Sequence, residues 1–275
     1  MNIKRASILL LATAAVATSA CVISDAAGPR VRTSRAEITV DVFYDSLDPF
    51  GRWVEVDFHG WVWIPDGVGR EWHPYTQGYW IHTPAGWTWL SEWRWGWAPF
   101  HYGRWMRHSH HGWVWIPGTV WAPAWVAWRR GDGWIGWAPL PVGAGWTVGV
   151  GLDLGSVDLA VAVRSGDWSF VPDHRFLDRR WSSHRALETR HADLIEATRL
   201  ATRYEPDGDG RAVDRGIRVE RIERVRETPV SRYRIRETDA PPERPTVVKR
   251  DRVKVYRPKV KKAKSTRVPR KRDDG

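Results

Sequence analysis

The sequence is poor in cysteine, in long apolar runs and in recognisable catalytic motifs. One cysteine, Cys21, stands among 275 residues, so the chain cannot form an internal disulfide. The leading run of apolar and small residues, 6–17, falls short of the ~20 residues that span a bilayer. A second apolar stretch, residues 140–163, contains Asp153 and Asp158 and is not read as membrane-spanning. There is no Gly-x-Ser-x-Gly elbow, no His-Glu-x-x-His and no phosphate loop, and Cys21 is the only thiol. Glu55, Asp57, Glu71 and Glu92 are carboxylates on predicted hairpins, where solvation is expected rather than a glycosidase pair. His101, His108, His110 and His111 surround one predicted hairpin, but His110 and His111 fall in its turn. The expectation is a protein without enzymatic activity, without a metal site and without a cofactor.

Charge is present but unevenly placed. The net charge is +11. Residues 205–275 hold 23 lysines and arginines against 13 acids, an excess of ten, so nearly all of it lies at the C-terminal end. A basic segment predicts attraction to polyanions and says little about the folded part.

The first twenty residues have the order of a secretory signal. Lys4 and Arg5 precede the apolar run, and Thr18-Ser19-Ala20 precede Cys21. Cys21 resembles the diacylated cysteine of bacterial lipoproteins, with Thr18 where that box usually carries Leu. Lipid attachment at Cys21 is expected, with simple cleavage as the alternative. Val22 rather than Asp after the cysteine favours the outer membrane, by resemblance to lipoprotein sorting. Residues 1–20 are therefore read as a signal peptide and 21–40 as a lipid-anchored tether. The expected location is the cell envelope, facing the periplasm or the cell surface.

What the chain has in excess is tryptophan. Nineteen of its 21 tryptophans lie between Trp53 and Trp146. They repeat: Gly51-Arg52-Trp53 with Gly60-Trp61-Val62-Trp63-Ile64-Pro65; Gly78-Tyr79-Trp80 with Gly86-Trp87-Thr88-Trp89-Leu90; and Gly103-Arg104-Trp105 with Gly112-Trp113-Val114-Trp115-Ile116-Pro117. A degenerate fourth pair, Trp125 to Trp128 and Trp134 to Trp137, flanks Gly131-Asp132-Gly133. Two aromatic and β-branched runs around a glycine-ended turn read as a β-hairpin. Tryptophans at i and i+2 then share a face. The predicted fold is mainly β, with the hairpins forming an antiparallel meander, a small barrel or a β-solenoid over residues 41–177.

Tyr44-Asp45-Ser46-Leu47, Gly51-Arg52-Trp53, Gly60-Trp61-Val62-Trp63, Trp121-Ala122-Pro123-Ala124-Trp125-Val126 and Gly136-Trp137-Ala138-Pro139-Leu140 together resemble the exported bacterial proteins of domain-of-unknown-function family 6600. Phe170-Val171-Pro172 and Arg175-Phe176-Leu177 resemble its distal part, so the likeness runs over about residues 42–180. The resemblance implies no activity and brings no catalytic residues.

Two readings of the tryptophans stand side by side. In one, indole rings supply the packing that small sheets otherwise lack, and Arg52, Arg94 and Arg104 stack on them. In the other, some rings form an exposed platform for sugar. The candidate platform is Trp93, Trp95, Trp97, Trp121 and Trp125, with Glu92, Arg94 and Asp132 as polar partners. Opposite faces of one sheet can serve both.

After the β module, residues 178–204 read as one amphipathic helix, with Leu187, His191, Leu194, Ile195, Thr198 and Ala201 at helical spacing. Residues 205–275 read as a disordered basic tail, in which Val213, Ile217, Ile222 and Val225 support at most a marginal helix and Val253 and Val255 a strand. The functional expectation is an envelope lipoprotein that binds glycan or a protein partner. Peptidoglycan and lipopolysaccharide are the expected polyanions, and no nucleic acid is expected. The alternative is a structural or assembly protein that self-associates through its indole face.

Overall fold

The computed structural model describes residues 38–69 and 71–262. The signal peptide, Cys21 and most of the tether, like residues 263–275 of the basic tail, lie outside them. No helix among the described residues is long and apolar enough to cross a membrane.

The fold is mainly β, and all four predicted hairpins are present. They are Gly51–Val56 with Gly60–Pro65, Gly78–Thr83 with Gly86–Ser91, Arg104–His108 with Gly112–Ile116, and Val126–Gly131 with Trp134–Pro139. The repeat has a simple structural meaning. Each hairpin sets one indole directly opposite another: Trp53 faces Trp63, Trp80 faces Trp89, Trp105 faces Trp115 and Trp128 faces Trp137. All eight rings are buried. Burying one indole removes ~150–250 Å² from water, worth about 4–6 kcal/mol as an upper bound. The glycine opening a unit makes room for this pair. A Cβ on Gly51 would lie 2.6 Å from the Trp63 ring, and one on Gly78 would lie 2.6 Å from that of Trp89.

The hairpins do not form a plain sequential meander, and the described strands do not close into a barrel. The first hairpin joins the third through Trp63 and Trp115. The second is extended by the hairpin Tyr204–Pro206 with Ala212–Asp214, and the fourth is flanked by Ser169–Pro172 and Arg199–Leu200. Inner faces of these sheets share one aromatic core that also takes in Phe43, Tyr75, Phe100, Phe176 and Trp181. Edge-to-face contacts dominate it, such as Trp80 on Trp137 at 5.7 Å and 83°, as expected when ring edges carry positive charge and faces negative.

Two sequence expectations change here. Residues 178–204 do not form one helix. They break into single turns at Trp181–His184 and Glu188–Arg190, a short helix His191–Ala197 and the strand Arg199–Leu200. Trp181 is drawn into the core, where its indole donates to Gly78 O at 2.7 Å. The free edge of the fourth hairpin then recruits residues 199–200, because unpaired strand groups are costly when shielded from water.

The described part of the tail, residues 205–262, is ordered. Residues 207–210 turn a hairpin, with Asp207 accepting from the backbone of Asp209 and Arg211. Helix Val219–Arg226 buries Ile222, and strands Arg234–Thr238, Val248–Lys249 and Arg252–Tyr256 form a small sheet. Val253 and Val255 point inward while Arg252 and Lys254 stay exposed, so a one-sided strand hides in a charged composition. Val260–Lys261 closes the domain by pairing with Ile38–Thr39.

Candidate functional site

The predicted platform is covered. Trp95, Trp97, Trp121 and Trp125 are all buried, and Trp93 is half-buried. Over Trp97 and Trp121 the cover is the chain's own C-terminal segment, whereas Trp95 packs among Trp63, Trp72 and Trp105. Tyr256 meets Trp97 edge-on at 4.8 Å, the Arg257 guanidinium lies 5.2 Å from the Trp121 ring, and the Tyr102 hydroxyl donates to Pro258 O at 2.7 Å. Only about 20 Å³ remains between Trp93, Trp97, His101 and residues 242–256, room for about one water. Of the proposed polar partners, Glu92 and Arg94 are exposed, and Arg94 lies over Phe50 at 5.4 Å. Asp132 is exposed at the tip of the fourth hairpin, where it takes φ 46° between two glycines; its place is that of a turn residue. The eight residues do not converge on one surface.

The histidines do not converge either. His108 stacks on His111 at 4.8 Å in the third hairpin's turn, whereas His101 is buried against Trp121 at 5.5 Å. Burial pushes the His101 imidazole down to about 4.

A real concavity lies at the other end of the third hairpin. It has a volume of about 210 Å³, and its walls are Ile116 to Val120, Val142, Trp125 and Trp146 around Arg104. Arg104 opens the strand after Gly103, and its side chain reaches back under the loop 141–146. Its Nε and Nη2 both donate to Ala144 O, at 3.0 and 2.7 Å, and its Nη1 donates to Gly103 O at 2.8 Å. The guanidinium stacks 3.9 Å from the centre of the Trp125 ring. Trp125 is fixed in turn by its indole N–H, within reach of His101 O and Val120 O, and by Tyr204 stacked at 5.5 Å.

The electrostatics of this groove are unbalanced. Burial is the main cause that pushes Arg104 down to about 10, and the neighbouring ionisable groups are the phenols of Tyr75 and Tyr204 rather than carboxylates. Guanidinium retains its charge even so, because that value stays far above neutrality. Three of its five N–H donors are used. Trp146, half-buried, sits 6.0 Å from Trp125, with its indole N–H sheltered and without a partner among the described residues. The groove therefore offers a cation and two aromatic rings, Trp125 and Trp146, within one small space.

Comparison with known proteins bears on the same segment. Residues 44–144 match the family described as a family of unknown function, DUF6600. This part of the chain is a DUF6600 domain. The match covers the four hairpins, Arg104, Trp125 and Ala144, and stops just short of Trp146. Comparison with curated proteins and with solved structures finds no match. The DUF6600 match carries no activity with it, so function has to be argued from the groove.

Sequence reasoning took Arg104 as a stacking partner of an indole, which it is, and placed Trp125 in a platform with Trp93, Trp95, Trp97 and Trp121 rather than in this groove. It missed Trp146 and the loop before it. The available signal was Gly143-Ala144-Gly145-Trp146, a small-residue turn that lets a backbone carbonyl approach the arginine.

Proposed function

We propose that this is a non-enzymatic protein of the cell envelope, lipid-anchored through Cys21, whose DUF6600 domain binds envelope glycan in the Arg104–Trp125–Trp146 groove. The observation that carries the reading is the groove's part-buried arginine, stacked on Trp125 with no carboxylate beside it, next to the half-buried ring of Trp146. Sugar C–H faces stack on indole rings, and a carboxylate on the sugar would match the guanidinium. Peptidoglycan supplies sugar rings together with free carboxylates on its peptide stems. The export signal and the cysteine at its end support the location.

The test is sedimentation of the full mature chain with purified peptidoglycan at low and high salt. Binding at low salt is expected, and Trp146→Ala should weaken it by about tenfold, equivalent to ~1.4 kcal/mol. No binding at low salt, or equal binding by the variant, would overturn the reading. A second reading, self-association, draws on Val148 and Val150, both exposed in the turn just after Trp146. Analytical ultracentrifugation separates the two: oligomers that grow with concentration without sugar would favour assembly.

A further inference from the structure

A second site lies on the other side of the fourth hairpin, and it is built from like charges. Arg199 stands directly opposite Arg130 in an antiparallel pair. Directly opposed side chains of one charge destabilise a sheet, so this juxtaposition runs against the pairing preference of strands. The cross-strand row explains its placement. From Val171 it passes to Ile135, Arg130 and Arg199, running from the core to the margin. Ile222 of helix Val219–Arg226 packs into the core cluster that holds Val171 and Ile135. The helix also packs on the turn Asp173–Arg175, which follows the strand of Val171, and Arg221 reaches Asp173 there, so Arg218 and Arg221 come to the same margin as Arg130.

The local balance is positive. Arg221 pairs with Asp173 at 3.2 Å, and Arg218 pairs with Glu220 at 3.5 Å. Arg130 and Arg199 make no ion pair among the described residues. Burial and then the charges of Arg199, Arg221 and Arg218 push the Arg130 guanidinium below its ordinary range, with no carboxylate raising it. Arg221 also keeps its Nε buried and without a hydrogen-bond partner among the described residues. Four guanidiniums thus face two carboxylates on a surface drawn from three separate chain segments.

We propose that Arg130, Arg199, Arg218 and Arg221 form a binding site for a phosphate group. Guanidinium forks match tetrahedral oxyanions in shape and charge, and a bound phosphate converts the repulsion across the strand pair into shared attraction. The chemistry is that of a phosphate ester or free phosphate. This site is independent of the glycan groove.

The experiment measures melting of the full mature chain in inorganic phosphate against chloride at equal ionic strength. It also measures flotation of the chain carrying Cys21→Ser, which has no acyl anchor, with phosphatidylcholine vesicles with and without phosphatidylglycerol. Wild type should melt about 2–4 °C higher in phosphate. Arg130→Gln with Arg199→Gln should melt higher than wild type in chloride, because the repulsion is gone, and should lose the phosphate increment. A control pair, Arg244→Gln with Lys249→Gln, removes the same charge elsewhere and should keep it. Vesicle binding that depends on phosphatidylglycerol and on Arg130 and Arg199 assigns the phosphate to lipid headgroups. A response to inorganic phosphate without vesicle binding assigns it to a soluble phosphate. An unchanged phosphate increment in the Arg130 and Arg199 variant would overturn the proposal, as would no increment in wild type together with no variant-sensitive vesicle binding.

Discussion

The first and third hairpins begin with the same three residues, Gly-Arg-Trp, and pair with each other in one sheet, yet their arginines differ in fate. Arg52 lies at the surface and reaches Asp66 at 3.8 Å, with both side chains more than a third exposed. Arg104 is folded under a loop, stacked on an indole, and bonded three times to backbone carbonyls. The repeat builds the same indole pair twice, Trp53 with Trp63 and Trp105 with Trp115. The chain beyond each repeat decides whether its arginine is solvated or held in a cavity. Architecture thus belongs to the motif, and chemistry belongs to the connecting segments.

The strongest way to break this comparison is to remove what the two hairpins share. A Cβ at Gly103 would sit 2.0 Å from Ile116 O, at φ +64°, and one at Gly51 would sit 2.2 Å from Ile64 O. Gly103→Ala should cost about 3 kcal/mol, since backbone strain adds to overpacking, and Gly51→Ala about 2 kcal/mol. Urea unfolding of both variants checks this, and near-wild-type midpoints would contradict the packing account.

Arg104→Gln should cost about 1–2 kcal/mol, because Ala144 O loses two charge-assisted bonds in a sheltered place. The same substitution at Arg52 should cost under about 0.5 kcal/mol, as for exposed ion pairs. Equal losses at the two positions would erase the contrast between them.

Acid response sharpens the comparison further. His101 is buried at the entry to the third hairpin, and its folded value of about 4 lies below the ordinary 6.5. Stability it contributes is therefore lost as pH falls from 6.5 through 4. Asp214, buried beneath Trp128, is pushed up to about 7, mainly by burial. Its folded form prefers the proton, so stability is lost as pH rises from about 4 through 7. The two oppose each other between about 4 and 6.5, where melting should change little. His101→Gln should leave stability falling with rising pH, and Asp214→Asn should leave it rising, each by up to about 1.4 kcal/mol per pH unit. Melting curves from pH 4 to 7 check both signs.

The hairpins were legible because Gly, Trp and β-branched residues recur with period two, a pattern set by local geometry. Arg104 and Trp125 were legible as a cation and a ring. Their neighbour Trp146 was not, because the loop that delivers it has no periodicity. The platform at Trp93 and Trp97 failed for a nonlocal reason: its cover arrives from residues 242–258, more than 140 positions later. That segment looked unstructured because its composition is charged. Its apolar residues are few, but Val253 and Val255 are spaced to line one side of their strand, and Val260 is buried in the next. Composition averages both faces of a strand, whereas folding uses one.

The late arrival of that cover orders the folding of the molecule. Trp87 donates to Ile217 O, and Tyr102 to Pro258 O, contacts spanning 130 and 156 residues. A nascent chain that has emerged only as far as the fourth hairpin still shows Trp97 to solvent. High contact order of this kind slows folding and prolongs the interval in which indoles are sticky. The protein therefore completes its core only once residues 242–258 have joined it, and a truncation before residue 242 should emit red-shifted tryptophan fluorescence.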